Sequence, residues 1–161
     1  MVDAPLYLCQ KPSSANEQEL RARLVKEAYS WVRTPYLHGC AIKGVGANCA
    51  MLMFGIAKGA GILATEVPTP KHFTAQAALH SKDERLLRYL LAYGFTETDE
   101  DHAKPGDILL YKNGLAHGHM AMMVTKTAVV HTLSPVGCKV NGFADGVLGT
   151  YSRRYFTLWR G

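Results

Sequence analysis

The spacing of apolar residues changes period once along this chain, and that change limits the possible folds more than any other feature. From residue 16 to about 33 the apolar positions Leu20, Leu24, Val25, Ala28, Trp31 and Val32 recur every three or four residues, the repeat of one helical face. Ser14 or Asn16 can cap this helix, and Thr34-Pro35 stops it. Residues 36–48 contain Gly39, Gly44 and Gly46, show no period and read as a loop. The next segment, CAMLMFGIAK from residue 49 to about 58, is apolar nearly all round, as in a helix buried at the centre of a domain, and Gly59 and Gly61 end it. After a loop with Pro68 and Pro70, DERLLRYLLAY (83–93) reads as a helix with an acidic first turn and Gly94 at the C-cap. TETDEDH (96–102) reads as a solvated turn. From Gly106 onward the period shortens to that of strands: DILLY (107–111), HMAMMVT (119–125), AVVHTL (128–133), CKVN (138–141) and RRYFTLWR (153–160), separated by turn residues. Helices first and strands afterwards imply an α+β domain with N-terminal helices packed on one face of a C-terminal antiparallel sheet.

Length and charge narrow the class further. The 161 residues, 48% of them hydrophobic, suit one domain over 1–161, with 1–15 as an N-terminal extension. The formal net charge of +5 is spread along the chain without a Lys/Arg run or aromatic-basic interleaving, which argues against a nucleic-acid partner. No apolar run approaches the roughly 18 residues that span a bilayer, so no stable membrane insertion is expected. The start, MVDAPLYLCQKPSS, lacks a basic region followed by an apolar one, so no export signal and a cytoplasmic location as synthesised are expected. Cys9, Cys40, Cys49 and Cys138 are too few and too irregular for a disulfide scaffold and read as free thiols.

Cys49 differs from the other three by position. It follows a glycine-rich loop and opens the buried helix, where free N–H groups and the helix dipole favour a thiolate and could hold an oxyanion. A thiol nucleophile needs a base, and the base needs a polar group to orient it. His119 and His131 sit in consecutive strands around a turn at Lys126-Thr127, which brings them near one another across the ladder, with same-face contact permitted within one residue of register. A rival arrangement is a zinc site: His117 and His119 share a strand face by period two and, with His131, would give three ligands and an open position. His38, His72, His80 and His102 read as solvated surface residues. Cys9, Cys40 and Cys138 read as structural, Cys40 lying in the loop that could bring it to Cys49 in a regulatory disulfide. Met51, Met53, Met120, Met122 and Met123 read as core filling.

Two segments resemble the motifs of the NlpC-type cell-wall cysteine peptidases. WVRTPYLHGCAIKGVGANCAM (31–51) is similar to the family's helix, TPY-type turn, glycine-rich loop and helix-opening cysteine. KPGDILLYKNGLAHGHMAMMVTKTAVVHTL (104–133) is similar to its Pro-Gly-Asp strand and His-initiated strand, with a further polar residue, His131, twelve positions after His119. The resemblance spans about residues 17–160, and LHSKDERLLRYL (79–90) is similar to the branch encoded by bacteriophages and gene-transfer particles. It implies a compact papain-like fold, Cys49 as nucleophile, His119 as base and then acid, and His131 as its orienting group. By the same resemblance Tyr36 hydrogen-bonds near the nucleophile and helps bind the oxyanion, while Asn48 lies where relatives contact the polar end of the substrate. The implied activity is hydrolysis of peptidoglycan stem peptides after a γ-D-glutamyl residue, without a cofactor, with phage tail proteins as partners and a virion-associated location. Asn48 and Ala50-Met51 depart from the family's Asp before, and small pair after, the cysteine. That departure motivates an alternative, a non-catalytic tail assembly module with the same fold; a cytoplasmic enzyme that recycles stem peptides is a further alternative, compatible with the absence of an export signal.

Overall fold

The computed structural model describes residues 8–68 and 77–159. The first helix, α1 (Glu17–Ser30), buries Leu20, Leu24 and Ala28, as its apolar repeat predicts. It ends at Ser30, and Arg33 then turns the chain with φ 77° ahead of Thr34-Pro35. Asn16 stands at the N-cap, but its side-chain oxygen accepts the Ser13 N–H (2.9 Å) outside the helix, so the expected side-chain cap is not made. Arg21 fastens α1 to the sheet: its guanidinium meets Glu17 and the buried Asp107, each at 2.8 Å, and donates to Thr157 Oγ1 at 3.1 Å.

The loop of residues 36–48 contains a small hairpin that its lack of period hid, β1 (Ala41–Ile42) against β2 (Gly46–Ala47). It leads directly into α2 (Cys49–Gly59), the central helix, whose Cys49 to Met53 stretch, Gly55 and Ile56 are buried. Asn48 caps α2 through Oδ1, which accepts the Met51 N–H at 2.9 Å. Gly55 lets α1 and α2 approach closely, since a Cβ there would lie 2.3 Å from the Trp31 ring. A single turn, α3 (Ala77–His80), precedes α4 (Arg85–Ala92), which buries Leu86 and Leu90; Gly94, with φ 85°, follows its end. The helix starts after the expected acidic turn because Asp83 pairs with Arg85 and Arg88, while Glu84 reaches across to a strand.

The strands are β3 (Thr96–Thr98), β4 (Ile108–Lys112), β5 (His117–Met123), β6 (Ala128–Leu133), β7 (Gly137–Gly142) and β8 (Ser152–Thr157). They form one antiparallel sheet in the order β3-β8-β4-β5-β6-β7. The sequence reading of 96–102 as a solvated turn is corrected for its first part: Thr96–Thr98 pair with Thr157, Phe156 and Tyr155 at the sheet edge. Three residues alternating between half-buried and exposed are too short a run to show a period.

Both faces of the sheet are covered, where the sequence suggested helices on one face. Ile108, Leu110, Met120, Met122 and Phe156 pack under α1, α2 and α4. Leu109, Tyr111, Ala121, Met123 and Tyr155 pack beneath the segment after β7, where a short 3-10 helix (Gly146–Thr150) supplies the buried Leu148. The two faces are therefore read alternately along β4 and β5, which explains why Ile108–Tyr111 and Met120–Met123 are buried and apolar throughout and lack simple alternation. Among the described residues no helix is long and apolar enough to cross a membrane.

Candidate active site

The site forms where the sheet opens. In the ladder between β5 and β6 only Met122 faces Val130 and Met123 faces Val129, next to the turn. Toward the start of β5 the two strands part, and backbone groups that would bond β6 are left facing the gap. The N-terminus of α2 fills it. Cys49 Sγ lies 3.7 Å from the Gly118 carbonyl oxygen, and the Met120 N–H also points at the sulfur, so the thiol abuts the backbone on both sides of His119.

A bulge separates the directions of His119 and His117. Tyr111 faces His119 while Lys112 faces His117, leaving Gly118 as an extra residue. His119 and His117 consequently lie on opposite faces. His119 stands on the Tyr111 face, with ring centroids 5.8 Å apart, and its Nε2 meets His131 Nδ1 at 3.0 Å across the opening. Both imidazoles are buried, with His131 at 0% exposure. Nδ1 of His119 is the ring nitrogen not engaged in the contact with His131.

The electrostatics keep this constellation neutral. Burial, followed by the proximity of His131, lowers the His119 pKa to about 3; burial, followed by the Lys139 charge, lowers that of His131 to about 4. For Cys49 the N–H groups of Met120, Ala50 and Cys49 itself favour the thiolate, but burial outweighs them and pushes the thiol pKa up. This corrects the expectation of a depressed thiol. The helix terminus acts in the expected direction, and the loss of water acts more strongly. The thiol and both imidazoles are neutral, and the thiol proton lies toward the Gly118 carbonyl.

The remaining candidates fall as follows. Tyr36, half-buried and bridged through its backbone to Ala47, lies close enough to Cys49 for a thiolate there to raise its own pKa, after burial. Asn48 is 3% exposed, and its carbonyl oxygen is engaged in capping α2, so its position is first of all that of a helix cap. The three-histidine zinc arrangement is not assembled: the bulge turns His117 away from His119, and its Nδ1 meets Glu84 Oε1 at 3.0 Å. Among the described residues no three His, Cys, Asp or Glu side chains are grouped as metal ligands. All four cysteines are free thiols, Cys40 being half-buried and Cys138 buried with a pKa raised to about 11. His38 and His80 are exposed, His102 pairs with Asp99 at the surface, and His72 lies outside the described residues. Glu84, Asn113 and Gly118 were not expected at the site. A glycine between two histidines in a strand was the one signal available, since glycine inside a strand often marks a bulge.

An α+β domain whose thiol opens a buried helix against a histidine-bearing antiparallel sheet belongs to the papain-like class of folds. The particular variant is the NlpC/p60 fold. The structure aligns with NlpC2 from Trichomonas vaginalis at a TM-score of 0.60 and 15% identity, covering 86% of this chain and 48% of that one. It aligns with the peptidoglycan hydrolase RipB from Mycobacterium tuberculosis at 0.61 and 14%, covering 92% and 69%. The p60 domain of an antigen from M. avium paratuberculosis gives 0.55 and 13%, covering 88% and 95%. The chain thus spans about half of the first of these proteins and nearly all of the last. The resemblance carried by residues 31–51 and 104–133 holds at the level of the fold. No protein-family model and no curated protein matches the sequence.

Proposed function

We propose that this protein is a cysteine peptidase or amidase that hydrolyses peptidoglycan stem peptides. One observation carries the reading: a helix-opening thiol lies against the backbone of a strand whose neutral His119 is held at its far nitrogen, 3.0 Å away, by a second buried imidazole. The likeness to RipB, a peptidoglycan hydrolase, supports the substrate class, and the motifs shared with the NlpC-type peptidases support cleavage after a γ-D-glutamyl residue.

In the reactive tautomer His119 Nε2 keeps its proton and donates a hydrogen bond to His131 Nδ1, leaving His119 Nδ1 to take the Cys49 proton. The thiolate attacks the amide carbonyl, and the oxyanion meets the first N–H groups of α2 and the Tyr36 hydroxyl. The imidazolium then protonates the leaving amine as the C–N bond breaks, giving a thioester. Water loses a proton to His119 and attacks the thioester; the S–C bond breaks, the acid departs, and the proton returns to Cys49. Since burial keeps both partners neutral at rest, proton transfer from sulfur to nitrogen is coupled to substrate attack.

The likeness of residues 79–90 to the phage-encoded branch supports a wall-directed role carried by a virus-type particle, with tail proteins as partners. The raised thiol pKa favours, as a second reading, a non-catalytic tail assembly module that keeps the fold. Digestion of purified peptidoglycan and of free stem peptides, read by mass spectrometry, separates the two. We expect stem-peptide cleavage that falls by about 10²–10⁴-fold or more in Cys49→Ala and in His119→Ala and is unaffected by a chelator. No cleavage by the folded wild type would favour the assembly module. Chelator-sensitive cleavage that survives Cys49→Ala would overturn both readings.

A further inference from the structure

We infer that Glu84 and Asn113 are positioning residues for the Cys49–His119 pair, acting through the backbone bulge at Gly118; the inference rests on the catalytic reading of that pair. Four consecutive amides lead into His119, and side chains or a helix carbonyl outside the sheet hold all of them. The Leu115 and Ala116 N–H groups donate to the Ala78 carbonyl of α3, at 2.7 and 3.2 Å. The His117 N–H donates to Glu84 Oε2 at 3.0 Å, and the same carboxylate meets the His117 ring. The Gly118 N–H donates to Asn113 Oδ1 at 3.1 Å.

A bulged residue loses its ladder partner, so its geometry is set by whatever replaces that partner. Here the replacements fix two things at once. The Gly118 carbonyl is the acceptor that holds the Cys49 thiol, and the slip at Gly118 turns His117 to the opposite face, leaving His119 as the histidine of β5 that faces His131. The bulge also has little room to relax: a Cβ on Gly118 would lie 2.3 Å from Ala78 Cβ and 2.5 Å from Asn113 Oδ1. Glu84 makes no capping hydrogen bond to its own helix, although it stands at the N-cap of α4; its carboxylate is directed to β5 instead. Neither Glu84 nor Asn113 touches the sulfur or either catalytic imidazole, so each acts on the chemistry only through the backbone of residues 117 and 118.

The test uses the full chain with Glu84→Ala and Asn113→Ala, and with Glu84→Gln and Asn113→Asp, which keep an acceptor oxygen for the same N–H. Two readouts are taken: kcat and KM on a stem peptide, and the rate at which iodoacetamide modifies Cys49, followed by mass spectrometry of the peptide that contains it across about pH 6–10. The alanine variants are expected to lower kcat by about tenfold to a hundredfold with KM little changed, and to displace the pH profile of Cys49 alkylation; the swaps restore both. Wild-type alkylation profiles in the alanine variants overturn the inference. So does a kcat loss that follows the fraction of unfolded protein and is not restored by the swaps. Alkylation needs no substrate: if the wild type cleaves nothing while the profiles still move, the catalytic reading fails and the positioning stands. If the wild type cleaves and the profiles do not move, the positioning alone fails.

Discussion

At the scale of single residues, Asn48 shows how one side chain can serve helix and chemistry in opposite ways. Its Oδ1 satisfies the Met51 N–H at the start of α2, one of the donors that a helix cannot pair internally. Asn48→Ala should cost about 1 kcal/mol, measured as a lowered urea midpoint with an unchanged slope. Asn48→Asp should keep the cap and gain a little from the helix dipole, yet place a negative charge next to Cys49 and raise its thiol pKa further. Its alkylation at mildly alkaline pH should therefore be slower than wild type, and a faster rate would mean that the aspartate hydrogen-bonds the thiolate's neighbours in a way the asparagine does not. Cys49, His119 and His131 stand out as candidates in the sequence because each lies at a position where type and spacing together mean something, and the structure brings the two imidazoles together with the thiol against the neighbouring backbone. Sequence reasoning missed the sign of the thiol's shift because burial is set by the whole fold. The loop that precedes Cys49 gives no hint of how little water reaches the sulfur.

At the scale of elements, α1, α2 and α4 were legible because each holds an apolar pattern over two or more turns, and β6 matched its expected bounds because its ends carry clear turn residues. What escaped was short or irregular: the two-residue strands β1 and β2, the edge strand β3, the single turn α3 and the bulge in β5. The bulge had the largest consequence, since strict alternation across it would have put His117 beside His119 and favoured a metal site. The packing of α1 on α2 was equally hidden, because Gly55 inside a helix reads only as a weak point. In the structure it is the contact that admits Trp31, whose Nε1 also donates to Glu27 at 3.1 Å. Gly55→Ala would drive a methyl group into a ring that cannot yield as a flexible chain could. It should destabilise the protein by about 1–3 kcal/mol despite the better helix propensity of alanine. Thermal unfolding followed by circular dichroism decides this; a rise in the midpoint would show that the helices can separate without loss.

For the whole molecule, the two buried histidines make stability depend on pH in a definite direction. Unfolded, each takes up a proton near its ordinary pKa of 6.5; folded, His131 does so only near 4 and His119 only near 3. As the pH falls from 6.5 toward 4 the unfolded chain therefore binds protons that the folded chain refuses, and stability declines by up to about 1.4 kcal/mol per pH unit for each histidine. The decline from His131 levels off below about 4 and that from His119 below about 3. His131→Gln should remove one proton from this window and flatten the plot of unfolding free energy against pH, whatever it does to the absolute value. An unchanged slope would contradict the neutral, buried state of His131. The turn after α1 also acts on the molecule as a whole. The Arg33 N–H bonds the Cys138 carbonyl at 2.9 Å, and the Cys138 N–H bonds the Thr34 carbonyl at 2.8 Å, along the outer side of β7. The residues that bring Tyr36 toward Cys49 thereby occupy part of a strand edge that would otherwise be open, while the opposite edge, β3, is three residues long. One local turn thus links the surroundings of Cys49 to colloidal behaviour: loosening it would shift Tyr36 relative to Cys49 and, at the same time, expose backbone through which copies of the chain could join edge to edge.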